Sequence, residues 1–219
     1  MAVEIEVINA NEPSPRILRR ATRLIAKGKV IVCPTDTGYA FAANALDAKA
    51  VLRVFNLKGR SYSNPIHVAV SSTEAAEQYA HWNKTAAHLA RSFLPGALTL
   101  VLPKKEIIPP LLVAGQDTIG IRIPDNKVIL DLAAMAGLPI TATSANLSGQ
   151  PTPYSIKEVV DQLGETTENV ALILDQGTLP VHGLSTIIDL TVSPPQLIRQ
   201  GRISWLELRQ ALQSFPDLG

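Results

Sequence analysis

Apolar residues recur along the chain with two different spacings, which predict helices alternating with strands. Between Ser14-Pro15 and Gly28 they recur at helical spacing, and an N-cap serine, a proline at the first helical position and a terminal glycine predict an amphipathic helix. Similar N-terminal patterns, including three serine-to-glutamate capping boxes, predict further helices. These helices are predicted to begin at Asp47, Ser71, Asn83, Asn126, Ser155 and Ser204.

Short runs rich in β-branched residues lie between the predicted helices. They predict strands over residues 30–33, 65–70, 97–102, 118–123, 139–144, 170–174, 185–190 and 196–200. Most strands are separated by helices, yet some follow one another with only a loop between them. We therefore predict the α/β class, with a single domain over residues 1–219 built around one mixed, twisted sheet with flanking helices.

Several of the predicted strands carry polar residues where a buried strand should be apolar. In the strand 118–123, alternation places Thr118, Gly120 and Arg122 on the face opposite the isoleucines. An arginine on a sheet face is either exposed or holds an anion. The run TATSANLSGQP at 141–151 is rich in hydroxyl and amide groups, which cost free energy when they are buried without partners. We expect these groups to bond to a ligand.

Composition narrows the possible classes of protein. The 219 residues are 46% hydrophobic and 18% charged, as in globular proteins, and the net charge of +1 argues against a surface specialised for nucleic acid. The single cysteine, Cys33, cannot form an internal disulfide, which fits a reducing compartment. With an acidic N-terminus and no apolar run near 18 residues, we expect a cytoplasmic protein without a membrane span.

The candidate chemistry is that of a site for an oxygen-rich anion. Cations are present in the KGR run at 58–60 and at Arg122, Arg199 and Arg202, while hydroxyl-rich loops supply neutral donors. The phosphate loop GxxxxGK[ST] and the dinucleotide pattern GxGxxG are absent, and no HExxH or close carboxylate pair predicts a metal site. No GxSxG surrounds Ser144, which disfavours a serine hydrolase. His67 is predicted to be a partly buried strand residue.

An ordered set of motifs covering about residues 14–205 resembles the YrdC family. The matching segments begin with PTDTGYAFAANALDAKAVLRVFNLKGRSYSNP at 34–65 and PGALTLVLP at 95–103. They continue with TIGIRIPD at 118–125, TATSANLSGQPTP at 141–153, LSTIIDL at 184–190 and LIRQGRIS at 197–204. The resemblance implies an α/β fold whose twisted sheet surrounds a large, positively charged cavity.

The resemblance also implies an activity, because the best-defined members of this family are threonylcarbamoyl-AMP synthases. They convert L-threonine, bicarbonate and ATP to threonylcarbamoyl-AMP and pyrophosphate, for modification of tRNAs that read ANN codons. The expected cofactor is Mg²⁺ carried mainly on the phosphates of the substrate ATP, and the expected partner is a downstream tRNA threonylcarbamoyl transferase complex. Weak binding of tRNA itself is left open.

Roles for individual residues follow from the same resemblance. Contacts to ATP are expected from Lys58, Arg60, Asn64, Thr118, Asn146 and Arg199. Contacts to threonine are expected from Thr37, Arg122 and Ser144, with the Arg122 guanidinium forking onto the carboxylate. We assign catalytic roles to Lys58, Arg60 and Ser144. Because a carbamate oxygen attacks phosphorus without a strong base, positioning and charge neutralisation would supply most of the catalysis.

The chain departs from the family pattern mainly near the expected amino-acid site. Relatives often have TVYGLG where this chain has TGYAFA at 37–42, and a histidine at the position of Ala69. His67 lies two residues earlier on the same strand face, and its role as a substitute is left open. Two alternative functions therefore remain: a paralogue acting on another carbamoyl compound, and a module that binds tRNA or double-stranded RNA.

Overall fold

The computed structural model describes residues 3–214, which form seven α-helices, one 3₁₀ helix and eleven strands. The helices are α1 (Pro15–Ala26), α2 (Ala48–Lys58), α3 (Thr73–Ala76), α4 (Lys84–Phe93), α5 (Lys127–Ala136), α6 (Ile156–Leu163), a 3₁₀ helix (Gly164–Asn169) and α7 (Trp205–Gln213). The strands are β1 (Ile5–Val7), β2 (Ile31–Thr35), β3 (Gly38–Ala42), β4 (Val68–Ala69), β5 (Leu98–Pro103), β6 (Thr118–Arg122), β7 (Ile140–Thr141), β8 (Thr143–Ser144), β9 (Leu172–Asp175), β10 (Thr186–Asp189) and β11 (Gln196–Arg199). The α/β class is confirmed.

Side-chain caps begin most of the helices where the sequence predicts them. Asp47, Asn83 and Asn126 each accept a backbone N–H of the first helical turn. At α7, Ser204 and Glu207 bond reciprocally as a complete capping box. The predicted cap at Ser71 is wrong by one residue, because Ser72 caps α3 by accepting from Ala75 N.

The strands form two mixed sheets, whereas the sequence pattern predicts one. The first has the order β1-β9-β2-β3-β8 and the second the order β11-β10-β5-β6-β4-β7. The single strand predicted over 139–144 is divided between them, because β7 pairs with β4 and β8 pairs with β3. The chain therefore crosses from one sheet to the other at Ala142, whose N–H donates to His67 O at 2.8 Å.

Two strands of the first sheet are additional to those predicted. β3 returns antiparallel to β2, with Thr35 opposite Gly38, so the PTDTG run forms the turn of a hairpin. All five residues of β3 are buried, so it lacks the alternation of a half-buried strand. β1 is a three-residue strand at the edge of the sheet, parallel to β9.

Apolar side chains from both sheets pack into a shared core. The larger cluster joins Phe41 of the first sheet to Leu100 and Ile121 of the second, and a smaller cluster lies beneath α1 and α5. The core includes Ile8 near the N-terminus and extends to Leu212 of α7. Among the helices described between residues 3 and 214, none is long and apolar enough to cross a membrane.

Candidate functional site

A cavity of about 130 Å³ lies where the β2–β3 turn, the end of β6 and β8 meet. Its charged lining comes from Arg60, Arg122 and Arg199, and none of its lining residues is a carboxylate. The three arginines give the cavity the positive charge that the family resemblance implies.

Arg122, at the end of β6, is held by two residues of the β2–β3 turn. Its Nη2 lies 2.6 Å from Asp36 Oδ1, and its Nη1 donates to Thr37 Oγ1 at 2.8 Å. The two charged side chains are 6% and 4% exposed. Burial lowers the pKa of Arg122, while the Asp36 carboxylate acts in the opposite direction. Among the described residues, Arg122 Nε and Asp36 Oδ2 are buried without hydrogen-bond partners.

The hydroxyls of the same turn form a short chain that leads to Arg122. Thr35 Oγ1 donates to Gly38 O at 2.7 Å and lies 3.2 Å from Thr37 Oγ1. Because the Thr35 proton is used on Gly38, Thr37 is the donor in the threonine pair. Thr37 Oγ1 therefore donates to Thr35 and accepts from Arg122, which leaves it one acceptor site for a ligand.

Ser144 and Asn146 bond to protein, contrary to the expectation that a ligand would satisfy these groups. Lys58 Nζ donates to Ser144 O at 2.5 Å, to Asn146 O at 3.1 Å and to Asn146 Oδ1 at 2.8 Å. Ser144 Oγ donates to the same Oδ1 at 2.6 Å. Lys58 is only 2% exposed. Burial, with a smaller contribution from Arg60, lowers the pKa of the Lys58 ammonium to about 7.

The two remaining predicted cations in the cavity wall are fixed through backbone carbonyls. Arg60 donates to Asn64 O at 3.1 Å and to Pro65 O at 3.0 Å. Asn64 therefore contacts Arg60 through its backbone carbonyl, and the residue itself is exposed. Arg199 Nη2 donates to Ser185 O at 2.8 Å and to Ser185 Oγ at 3.1 Å. Burial is the largest cause of a lowered pKa for both arginines.

Five of the predicted site residues meet at the cavity and four do not. The five that line it are Thr37, Arg60, Arg122, Ser144 and Arg199. Lys58 and Asn146 lie behind Ser144, and Asn64 lies at the surface. Thr118 is at the opposite end of β6 from Arg122, roughly 13 Å away at the rise of a strand. The structure therefore does not bring Thr118 to the cavity.

His67 also lines the cavity, in a position that depends on a glycine of the neighbouring strand. A Cβ added at Gly120 would lie 2.4 Å from His67 Cδ2, so only glycine leaves room for the imidazole. Burial, followed by the charges of Arg199, Arg122 and Arg60, lowers the pKa of His67 to about 3. The imidazole is therefore neutral at physiological pH and offers one donor and one acceptor among the cations.

The depressed pKa of His67 predicts a loss of stability in acid. Between about pH 3 and pH 6.5 the unfolded chain binds a proton at this residue that the folded chain does not, so stability falls as the pH drops through this range. From pH 7 to pH 5 we expect the wild type to lose about 2 kcal/mol more than His67→Gln, measured by urea unfolding.

The matched control for this experiment is His182→Gln, which changes an exposed histidine outside the cavity lining. This variant should keep the wild-type dependence on pH. Equal slopes for the wild type and His67→Gln would contradict the placement of a neutral imidazole among the arginines.

Taken together, the structure is that of an α/β protein with an arginine-lined cavity between two mixed sheets. The Sua5/YciO/YrdC family model, described as "Telomere recombination", matches residues 23–201. This chain belongs to that family, which confirms the resemblance inferred from the motifs.

Named relatives share this part of the chain. A putative threonylcarbamoyl-AMP synthase of Methanocaldococcus jannaschii is 37% identical over 200 residues, covering 91% of this chain and 93% of the relative. The threonylcarbamoyl-AMP synthase of Pyrococcus abyssi is 39% identical over 196 residues, covering 89% of this chain and 57% of the relative. The chain thus spans nearly all of one relative and little more than half of the other.

Two crystal structures show the same fold. Pyrococcus abyssi Sua5 complexed with L-threonine has a TM-score of 0.90 at 37% identity, covering 95% of this chain and 60% of that chain. Escherichia coli YciO has a TM-score of 0.82 at 28% identity, covering 91% of this chain and 96% of that chain.

Proposed function

We propose that this protein is an L-threonylcarbamoyladenylate synthase, a nucleotidyltransferase that uses L-threonine, bicarbonate and ATP. The observation that carries the proposal is the cavity lined by Arg60, Arg122 and Arg199 and by no carboxylate. Such a site favours a ligand that brings several negative charges, as threonine carbamate and ATP together do. The names of the relatives and the threonine complex of Pyrococcus abyssi Sua5 support the same substrates.

The amino acid would bind beside the β2–β3 turn. Arg122 is already oriented by Asp36 and Thr37, and its buried Nε has no partner among the described residues. A carboxylate placed against this guanidinium would gain charge-assisted hydrogen bonds in a region shielded from water. Ser144 also lines the cavity, and because its hydroxyl proton is used on Asn146 Oδ1, it would accept a hydrogen bond from the carbamate N–H.

The reaction requires two bond-forming steps. The threonine amine displaces water from bicarbonate to form a carbamate, and a carbamate oxygen then attacks the α-phosphorus of ATP as pyrophosphate leaves. Arg60 and Arg199 would neutralise the phosphate charge, because both line the cavity. Neutral His67 would contribute a hydrogen bond without repelling a cationic amine.

Mg²⁺ would accompany ATP, held mainly by the phosphate oxygens. Residues 3–214 contain no group of three histidine, cysteine, aspartate or glutamate side chains arranged to hold a metal ion. A site built from arginines and hydroxyls offers few ligands of its own to Mg²⁺, so phosphate oxygens and water would supply most of them. The ion would offset part of the triphosphate charge, and the protein's own cations would offset the rest.

The product is a mixed anhydride that must be consumed by a transferase, and we propose that this is a tRNA threonylcarbamoyl transferase complex. A single, buried cysteine, Cys33, fits a reducing compartment such as the cytoplasm for this protein. The near-neutral net charge of +1 favours a role in making the adenylate over a role in holding tRNA.

The test is pyrophosphate release from ATP and Mg²⁺ in the presence of bicarbonate, with each common amino acid in turn. We expect release only when threonine and bicarbonate are both present, together with threonylcarbamoyl-AMP detected by mass spectrometry. Release that follows a different amine would point to a paralogue with another carbamoyl substrate. No release and no ATP binding would overturn the proposal, and salt-sensitive binding of RNA would then favour the RNA-binding alternative.

A further inference from the structure

The ammonium of Lys58 is fully occupied by the loop that carries Ser144. An ammonium has three N–H donors, and Lys58 Nζ has three oxygen acceptors within hydrogen-bond distance, at 2.5, 3.1 and 2.8 Å. All three oxygens belong to Ser144 and Asn146. No N–H is left for a phosphate unless one of these bonds is broken, and the side chain is 2% exposed and does not line the cavity.

Arg60, two residues further along the chain, is placed differently. It lines the cavity, and its two bonds to backbone carbonyls use only Nε and Nη2. A guanidinium has five N–H donors, so Arg60 keeps donors for a phosphate where Lys58 does not. The two cations of the KGR run therefore have different surroundings although they are close in sequence.

The contacts of Lys58 close the loop 144–150 against the C-terminus of α2. Ser148 N donates to Lys58 O at 2.7 Å, and Asn146 Oδ1 accepts from both Lys58 and Ser144. Asn146 Nδ2 donates one of its two N–H groups to Gln150 O. Gly59, in a left-handed conformation with φ of 56°, ends the helix at this point and keeps Lys58 as its last residue.

The backbone of Ser144 and the direction of its hydroxyl are held by different contacts. Ser144 belongs to a strand of two residues, paired with β3 through Ala40, and the following residue bonds to Tyr39 O. Ala145 and Asn146 are buried, and residues 147–150 form an exposed loop. The direction of the Ser144 hydroxyl therefore depends on Asn146 Oδ1, and the position of Asn146 depends on the buried ammonium.

We propose that Lys58 is a positioning residue, which holds Ser144 toward the cavity through Asn146 and does not itself bind the triphosphate. This inference rests on the proposed function, and it assigns the phosphate contacts to Arg60 and Arg199 alone. The expectation that Lys58 contacts ATP is thereby replaced by a role in orienting the hydroxyl that faces the carbamate.

The test compares Lys58→Met with Arg60→Met, which remove neighbouring cations in the same chemical way. For Lys58→Met we expect the Kd of ATP, measured by calorimetry without threonine, to remain within about threefold of wild type. Its kcat should fall about tenfold or more, because a misplacement of about 1 Å in a reacting site can cost 10²-fold. For Arg60→Met the Kd of ATP should rise about tenfold or more, since a charge-assisted bond is lost.

Hydrogen exchange supplies a second readout that does not require turnover. The backbone amides of residues 144–150 should exchange faster in Lys58→Met than in wild type. In Arg60→Met their exchange rates should equal those of the wild type. If Lys58→Met fails to fold, Lys58→Gln, which keeps two N–H donors, is measured in the same way, and partial protection of the loop is expected.

Two results would overturn the inference. In the first, Lys58→Met weakens ATP binding as much as Arg60→Met does. In the second, Lys58→Met keeps the wild-type kcat and the wild-type exchange rates of the loop amides. Failure of the proposed function is distinguishable from both. If the wild type forms no threonylcarbamoyl-AMP, the proposed reaction is wrong, but ATP affinity and loop exchange still decide whether Lys58 binds phosphate or holds the loop.

Discussion

Replacing Asp36 with alanine is expected to lower the free energy of unfolding by about 3–5 kcal/mol, because it leaves a buried guanidinium without its counter-charge. The Asp36 carboxylate lies 2.6 Å from Arg122 Nη2, and the two side chains are 4% and 6% exposed. Water cannot easily replace the lost partner. The remaining bond from Arg122 to Thr37 is to a neutral hydroxyl and compensates only in part.

Urea unfolding of the wild type and of Asp36→Ala would measure this loss, and two further variants sharpen the result. In the double variant Asp36→Ala/Arg122→Met, the stranded charge is removed as well, so we expect part of the stability to return. The matched surface control is Asp131→Ala, whose partner Lys127 lies 2.9 Å away with the two side chains 53% and 31% exposed. That variant should lose less than about 1 kcal/mol.

A loss of less than about 1 kcal/mol in Asp36→Ala would contradict the description of this ion pair as buried and closely held. A double variant that is less stable than the single one would contradict the explanation based on a stranded charge. It would instead indicate that Arg122 contributes mainly through packing of its aliphatic part.

The helices were predictable because the groups that start and stop them are close in sequence. The cap at Asp47 and the reciprocal pair at Ser204 and Glu207 involve residues at most three positions apart. Strand partners are chosen over long separations, so the division of residues 139–144 between two sheets has no local cause. The strand GYAFA was missed because its complete burial removes the alternation on which the prediction depends.

Side-chain chemistry alone made Arg60, Arg122 and Arg199 candidates for binding an anion, and the structure places all three in the lining of one cavity. The contacts of a site residue could not be predicted where its partner is distant in sequence. The sequence shows that Asp36 precedes Thr37, a predicted site residue. Only the structure shows that Asp36 contacts Arg122, which is 86 residues away in sequence. Likewise, the position of His67 depends on the missing Cβ of Gly120 on the adjacent strand.

The hydroxyl and amide groups at 141–146 show why an inventory of polar residues does not identify their partners. Thr141 Oγ1 donates to Phe41 O and accepts from Ala43 N, so it joins the two sheets rather than a ligand. The Asn146 amide likewise bonds to protein, because its Oδ1 accepts from Lys58 and Ser144 and its Nδ2 donates to Gln150 O. Burial requires partners but does not distinguish protein from substrate.

Arg122→Lys is expected to raise the KM for threonine about 100-fold, which corresponds to roughly 2.7 kcal/mol, while the Kd of ATP changes little. A lysine keeps the charge and can still pair with Asp36. It cannot hold Asp36, Thr37 and a substrate carboxylate at once in the planar arrangement that the guanidinium provides. Under the proposed function, the loss should therefore fall on amino-acid binding.

Steady-state pyrophosphate release at varied threonine and saturating ATP measures this effect, with Arg199→Lys as the control cation in the same cavity wall. For Arg199→Lys we expect the KM for ATP to change more than the KM for threonine. If Arg122→Lys retained the wild-type KM for threonine, the carboxylate would have to bind elsewhere. Arg122 would then serve mainly as the partner of Asp36, and the buried pair would be an element of the fold that closes one side of the cavity.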